Sequence, residues 1–502
     1  MITGLISNNH NKTEMAVTHV NSLDKIVSLS KSRGFIFQSS EIYGGLSAVY
    51  DYGPLGVELK RNIQNAWWKS MTQAHDNIVG VEAAIFMHPK VWEASGHVEG
   101  FNDPMIDDKQ SKKRYRADML IEQHIAKLRS SDKAEKADEL QEKLDTSGTR
   151  KSLTEDLYDI IMEEEIRAPE SGAFDWTEVR QFNLMFKTHY GATSSGDDDA
   201  IYLRPETAQG IFVNYKNVLD TARAQVPFGI AQIGKAFRNE VVARQFVFRM
   251  REFEQMEMQY FVEPGNDEEE YEKWLNKRLE WHKEMGIREE NLRVAPHPKD
   301  KLAHYARAAA DIQYKYPIGW QEVEGIHNRT DFDLSRHQEY SGKKMEYYDQ
   351  KKQKRYIPYV VETSVGLDRT TLMVLCDAYR EEEVDGDSRT VLKLHPKLAP
   401  TKVGIFPLIK KPKLKDLAFK IEKELKEEFT VLYDESGSIG KRYRRQDEAG
   451  TPFCVTVDFD GVESEGEDTV TIRYRDDMKQ DRVPVSRLAE VIRNGMKNWK
   501  AE

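Results

Sequence analysis

Across residues 230–261 (IAQIGKAFRNEVVARQFVFRMREFEQMEMQYF) two limbs of alternating residues flank a short interruption, and a period of two is one that extended strands support and helices do not. The spacing predicts a hairpin. On its first limb Arg238 and Glu240 share a face, with Phe237 and Asn239 opposite; residues 241–246 make a loop holding Arg244; on the second limb Arg249, Arg251, Phe253, Gln255 and Glu257 share a face. Guanidinium forks, a flat ring and carboxylates on one surface suit a nucleotide whose phosphates are attacked: the forks hold phosphoryl oxygens, the ring stacks on a base and a carboxylate accepts from an exocyclic amine. The same spacing fits a surface hairpin laced with ion pairs, and the hairpin alone does not choose between them.

Length and composition narrow the setting. At 502 residues the chain exceeds one core, with about three domains as the prior. Hydrophobic residues at 39% and charged residues at 32% describe a soluble globular protein. Two cysteines, Cys376 and Cys454, exclude a disulfide framework or a cysteine-rich zinc site and fit a reducing compartment. The 13 histidines form no HExxH or paired-ligand pattern, so no protein-held zinc is expected. No 18-residue apolar run or signal-peptide core occurs, which predicts a cytoplasmic protein without a membrane partner. Net charge is −11, while residues 401–502 carry about 20 basic and about 20 acidic side chains, so a nucleic-acid partner must be held by local basic patches.

Residues 1–22 read as a loose polar arm, followed by a helix from Ser22 to Gly34 and another over 57–71 with Leu59, Ile63, Ala66 and Trp67 on one stripe. Residues 92–118 read as loop-rich, ending in Lys112, Lys113, Arg114 and Arg116; 119–165 reads as a charged helical insertion broken at 145–148; 181–189 reads as a buried strand. Pro205 sets a turn, Glu206 opens a helix through Tyr215, 267–285 is an acid-started helix, and 339–354 is a polar excursion. In 356–376 a strand places Glu362, Ser364 and Gly366 on one face and runs into a helix with Arg369 in its first turn, a junction suited to a polyphosphate or to a buried ion pair. Leu394-His395-Pro396-Lys397-Leu398-Ala399-Pro400 reads as a linker, beyond which alternating strands and helices predict a separate α/β domain.

With both stretches in view the chain resembles class II aminoacyl-tRNA synthetases and, within them, the dimeric glycyl type, over about residues 23–494. Three motifs carry the resemblance in order: Gly53-Pro54-Leu55-Gly56-Val57 onward; Phe237-Arg238-Asn239-Glu240 with Arg249-Met250-Arg251-Glu252-Phe253; and Gly366-Leu367-Asp368-Arg369. The strings EIYGGL, DYGPLG, WEASGH, RPETAQGIF, REFEQME, RTDFDL and GKRYRRQDE narrow it. The resemblance implies an α+β catalytic core, an antiparallel sheet with flanking helices and insertions, over 23–395 (insertions about 95–180 and 264–350), and an α/β anticodon-binding domain over 401–502.

It further implies glycine activation by ATP with Mg2+ and transfer to tRNA-Gly by a homodimer, with synthesis of diadenosine tetraphosphate as a side reaction. By position in these motifs, Arg238 and Arg369 are catalytic. ATP falls to Arg238, Asn239, Glu240, Phe248, Arg249, Met250, Arg251, Glu252, Phe253, Glu322, Val323, Gly366, Leu367, Asp368 and Arg369, with Glu322 toward Mg2+. Glycine falls to Arg116, Glu206, Phe253, Glu254, Gln255, Met256, Glu257, Arg329, Glu362, Thr363, Ser364, Val365 and Gly366. Many class II enzymes carry glycines where Glu362 and Ser364 stand here, and side chains at those places shrink the amino-acid pocket. Excluding larger side chains by clash removes the need for an editing domain. Candidates for tRNA contact are Arg244, Lys441, Arg442, Arg444 and Arg445, the last four fitting a solvated helix face equally well. The alternative is a non-catalytic paralogue that binds nucleic acid.

Overall fold

Alternation in the predicted hairpin is realised within a seven-stranded sheet, as its fifth and sixth strands. In this computed structural model, which describes residues 17–131, 133–148, 151–189, 200–241, 245–298, 302, 306–384, 386–462 and 466–501, the strands are β1 (Ile78–Gly80), β2 (Phe228–Phe237), β3 (Glu252–Val262), β4 (Leu292–Pro296), β5 (Ala308–Tyr316), β6 (Gly319–Thr330) and β7 (Tyr359–Gly366). They lie in the order β4-β5-β6-β7-β3-β2-β1, antiparallel except for the β1–β2 pair. The hairpin is shorter than its pattern. Pairing runs from Phe228↔Phe261 to Phe237↔Glu252, so Arg238 and Glu240 have left the strand and Arg249 and Arg251 precede it. A 3-10 turn at Phe246–Phe248 breaks the alternation there, and Arg249 and Arg251 share no strand face with Phe253. Arg244 lies outside the described residues.

One face of the sheet is apolar; the other is polar where Glu257, Gln259, Glu362 and Ser364 stand and apolar at the end where Phe261 pairs with Val360. Met256, Met258, Val361 and Val365 point into a core closed by α2 (Pro54–Trp68) through Leu59, Ile63 and Trp67, and by α4 (Asp267–Glu284) through Trp274 and Trp281. That core also takes α6 (Leu367–Ala378), in which every residue except Arg369 is buried. A helix buried on all sides is locked by its surroundings, so its one projecting arginine has a fixed origin. Ahead of these stands α1 (Leu23–Arg33), capped by Ser22 and ended by Gly34 at φ 76°, a left-handed turn that glycine adopts without a Cβ clash. At the β2 end of the sheet, α3 (Ala208–Thr221) and α5 (Phe332–Ser341) bury Phe212, Tyr215 and Leu334 against Phe228 and Phe261.

Helices Ala117–Ser130, Ala134–Asp145 and Leu153–Glu163 form the predicted helical insertion around their own core of Ile121, Leu140, Leu157 and Ile161. C-terminal to these, five strands order as Val431–Tyr433, Val403–Pro407, Phe453–Val457, Thr469–Tyr474 and Gln480–Pro484, the first three parallel, over a separate core with α7 (Ile439–Ala449) on one side.

Several local expectations are corrected. Residues 181–189 form two short, largely exposed strands, Arg180–Asn183 and Lys187–His189, not one buried strand. The helix expected from Glu206 starts at Ala208. The stretch expected to be loop-rich holds strands Asn102–Asp107 and Arg114–Arg116, and the expected polar excursion holds the end of α5 and a small hairpin at 347–356. Part of the N-terminal arm is ordered by pairing: Val17–His19 adds a strand to Tyr379–Val384. The proline-rich stretch is packed, not loose: Leu394, Leu398 and Ala399 are buried, and Asn62 donates to the Leu398 and Ala399 carbonyls at 3.1 Å each. Beside it a buried ionic seam joins the three-stranded sheet of Val17–His19, Tyr379–Val384 and Asp387–Leu392 to α7 and the C-terminal sheet. Arg389, from strand Asp387–Leu392, donates to Glu382 (2.5 Å) and to Asp447 of α7 (2.9 Å), and Arg473 grips the same Asp447 at 2.9 and 3.1 Å.

Candidate active site

Over the polar face of β3, β6 and β7 lies a cleft of about 210 Å³. Its outer half is cationic. Arg238, just beyond β2, is held by its Nε–H donating to the Pro205 carbonyl (3.1 Å), and its guanidinium lies between the Phe101 and Phe253 rings at 5.4 and 5.2 Å. Arg249 faces Glu240 at 3.5 Å. Arg369 leans on the Phe248 ring (4.4 Å) and donates to the backbone and carboxylate oxygens of Glu322, both at 3.2 Å. Each guanidinium has five N–H donors and uses only some here, leaving forks for a phosphate.

Glu322 reaches this half through an irregularity that alternation does not reveal. Opposite Ile312 and Gln313 the β6 register slips, Glu324 and then Glu322 being the partners, so Val323 is an extra residue. Without the bulge Glu322 and Glu324 would share a face. With it, Glu322 lines the cleft beside Arg369, while Glu324 is buried beneath against Arg278 (2.6 Å) and His282 (2.8 Å) of α4. A carboxylate beside a cationic site that could take phosphates is the hard oxygen donor that Mg2+ would use.

The inner half is built on carboxylates. Glu257 accepts from Thr207 (2.6 Å), Ser364 (2.7 Å) and Gln255 (3.0 Å). Glu362 accepts from Gln259 (2.7 Å) and from Arg329 (3.2 Å to each oxygen), and His327 Nδ1 lies at 2.9 Å. Glu206 meets Gln209 (3.0 Å) and His97 (3.4 Å). Their environments part their acidities. Burial, then the charges of Glu362 and Glu206, push Glu257 up to about 8. Burial also opposes ionisation of Glu362, but Arg329 and His327 outweigh it and hold this group down at about 2. Glu206 is likewise held low, burial being overcome by His97, Arg329 and Gln209. Two negative carboxylates and one that keeps its proton therefore face a small enclosed space.

Arg204 places the segment that supplies Glu206 and Thr207. Its Nε and Nη1 donate to the carbonyls of Lys235 (2.6 Å) and Ala83 (2.8 Å), and a Cβ at Gly234 would collide with its guanidinium.

Of the residues expected here, the cleft gathers Arg238, Glu240, Phe248, Arg249, Met250, Phe253, Gln255, Glu257, Glu206, Glu322, Val323, Arg329, Glu362, Ser364, Gly366 and Arg369. Glu254 and Asp368 border it, but their carboxylates turn to Lys60; Asp368 also accepts from Tyr52 (2.5 Å) and from the Glu254 N–H (2.7 Å). Others lie elsewhere. Arg251 donates to the carbonyls of Glu240 and Ser47, Glu252 pairs with Lys235, and the Asn239 N–H donates to Leu184. Met256, Thr363, Val365 and Leu367 are buried off the cleft, and Arg116 pairs with Asp118 and Asp103. His97, Thr207, Gln209, Gln259 and His327 were not singled out by sequence: a lone histidine or amide has no spacing signature, although WEASGH and RPETAQGIF contain three of them.

Far from this cleft, Lys441, Arg444 and Arg445 line a second one with Arg33 of α1 and Ser438, the N-cap of α7. Arg442 is turned away from it, 3% exposed, donating to the carbonyls of Pro407 (2.7 Å) and Gly437 (3.1 Å).

Residues 186–379 match the family model described as tRNA synthetase class II core domain (G, H, P, S and T), 402–495 match Anticodon binding domain, and 103–139 and 129–184 match Glycyl-tRNA synthetase insertion domain 1. The chain is 57% identical over 471 residues to a glycine–tRNA ligase of Chlorobaculum tepidum, covering 94% of this chain and 99% of that protein. Identity is 52% over 488 residues to one of Treponema denticola, covering 96% and 99%. Among solved structures, prolyl-tRNA synthetase of Cryptosporidium parvum with L-proline and AMP is similar in fold, with a TM-score of 0.59 at 14% identity over 94% of this chain and 74% of that one.

Proposed function

The chain belongs to the glycine–tRNA ligases among the class II synthetases, and from that membership we propose that it activates glycine with ATP and transfers the glycyl group to the 3′ end of tRNA-Gly. The observation that carries this reading is the joining, in one cleft, of a three-carboxylate pocket to three arginine forks. The glycine ammonium sits among Glu206, Glu257 and Glu362, with Ser364 and the Glu362 stem excluding a larger side chain. The glycine carboxylate attacks the α-phosphorus of ATP and pyrophosphate leaves; the ribose hydroxyl of the tRNA then attacks the adenylate carbonyl and AMP leaves. Arg238 neutralises the charge that builds on the α-phosphoryl oxygens and aligns the attacking carboxylate, Arg249 and Arg369 hold the γ-phosphate, Phe253 stacks on adenine and Glu240 accepts from its amine. Glu322 would hold Mg2+, which would supply further charge neutralisation at the phosphates.

Lys441, Arg444 and Arg445 with Arg33 form the surface proposed to meet the tRNA backbone. The protein is read as cytoplasmic and homodimeric; Ile42 and Tyr43, 88% and 87% exposed, supply apolar surface for a second copy, and Tyr43→Glu is expected to yield monomers in sedimentation. No described helix is long and apolar enough to cross a membrane.

The test is amino-acid-dependent ATP–pyrophosphate exchange with glycine, alanine, serine, proline or no amino acid. Exchange with glycine alone is expected. Exchange with another amino acid would overturn the pocket assignment, and none with any amino acid from folded protein would favour a non-catalytic nucleic-acid-binding role.

A further inference from the structure

Behind the carboxylates of the amino-acid pocket lies a layer of buried polar side chains, of which Arg329 lines the cleft and Gln209, Asp333 and His337 do not. Gln209, on the first turn of α3, is its node and is 0% exposed. Its Nε2 donates to Glu206 Oε1 (3.0 Å) and to Asp333 Oδ1 (2.9 Å), and its Oε1 lies 2.8 Å from His337 Nε2. Asp333, from α5, grips Arg329 with both oxygens at 2.8 and 3.0 Å, and Arg329 in turn donates to both oxygens of Glu362. One amide thus sits between two chains of contacts, one ending at Glu206 and the other at Glu362.

The chemistry of these partners leaves one orientation. Ionised carboxylates only accept, so the amide must turn its NH2 to Glu206 and Asp333, spending one hydrogen on each. Its oxygen is then left to His337, whose Nε2 must carry the proton. Burial keeps His337 neutral, with Asp333 opposing that only in part. A flipped amide would set its oxygen against two carboxylates. Every hydrogen-bonding position that the amide uses is matched, and removing any partner leaves a buried group unpaired.

We propose that Gln209 is a positioning residue for the amino-acid substrate, tying Glu206 to the Asp333–Arg329–Glu362 chain so that two ammonium-facing carboxylates are held as one unit, with His337 fixing the amide that does so. The inference rests on the reading of this pocket as the glycine site.

The experiment measures KM for glycine and for ATP in the exchange reaction, together with melting temperature, for wild type and for Gln209→Glu, His337→Phe and His337→Gln. Gln209→Glu keeps the shape but presents an acceptor, or at best one hydrogen, to two acceptors. It is expected to raise the glycine KM by about tenfold or more with the ATP KM within about twofold, the signature of lost binding to one substrate alone. His337→Phe removes the donor that anchors the amide oxygen and shifts the glycine KM in the same direction. His337→Gln, whose Nε2 can stand where the imidazole Nε2 stands, brings it back toward wild type. If Gln209→Glu fails to fold, the two His337 variants decide. Equal rises in both KM values, or no rise in folded variants, would overturn the proposal. Absence of glycine-dependent exchange in the wild type would overturn the reading of the pocket itself.

Discussion

At the scale of single residues, Arg238 and Glu257 make opposite demands on charge. In the proposed mechanism Arg238 stands where negative charge accumulates, and single donors to a developing oxyanion are worth about 3–4 kcal/mol. Arg238→Ala is therefore expected to lower kcat/KM for pyrophosphate exchange by some hundredfold or more; activity within a few-fold of wild type would remove it from the mechanism. Glu257 is a proton store. Its ordinary value is 4.5 and its folded value about 8, so the folded protein binds a proton there that the unfolded chain releases. Its contribution to stability is full below pH 4.5 and is lost as the pH rises through 8. An arriving ammonium reverses this by favouring the ionised form, so the glycine KM should fall by about tenfold per pH unit as pH rises toward 8 and level off above it. Glu257→Gln fixes the neutral form, and steady-state kinetics from pH 6 to 9 should show a raised KM with that slope absent.

At the scale of elements, Lys60 of α2 joins three segments that a reader of the sequence meets far apart. Its ammonium lies over the Tyr52 ring (4.3 Å) and pairs with Glu254 of β3 and Asp368 of α6, the residues beside Phe253 and Arg369. Burial opposes its charge, but Asp368 and Glu254 outweigh burial and raise its pKa. Lys60→Met strands the buried Asp368 and the half-buried Glu254 without their cation, and denaturant unfolding should register a loss of about 3–5 kcal/mol. Periodicity made β2, β3 and β7 legible because strands with one polar and one apolar face advertise themselves, and it put Glu362 and Ser364 on the correct side. It overran at Arg249 and Arg251 because a 3-10 turn has no pattern of two. It was silent on the Val323 bulge, where a single inserted residue turns Glu322 toward the cleft. The edge strand Gln480–Pro484, half charged or amide, carries too little apolar signal to be read. Arg442 looked like its neighbours Arg444 and Arg445 because charge alone does not reveal that carbonyls await it inside.

At the scale of the whole molecule, the seam at Glu382, Arg389, Asp447 and Arg473 decides whether the core and the C-terminal sheet act as one body. Asp447→Asn leaves Arg389 and Arg473 buried without their shared counter-charge, and calorimetry should resolve a separate, lower-melting transition for residues beyond 402. Pyrophosphate exchange, which needs only the cleft, should survive better than tRNA charging, which needs both bodies in register. The seam has a thermal character of its own. Because it is cemented by guanidinium and carboxylate groups, opening those ion pairs wets polar surface, whose hydration lowers the heat capacity where hydrocarbon would raise it. The cost of keeping such charges dry also falls as water warms. The joint between the two bodies should therefore tighten with heating over the same range in which the apolar cores on either side of it begin to soften.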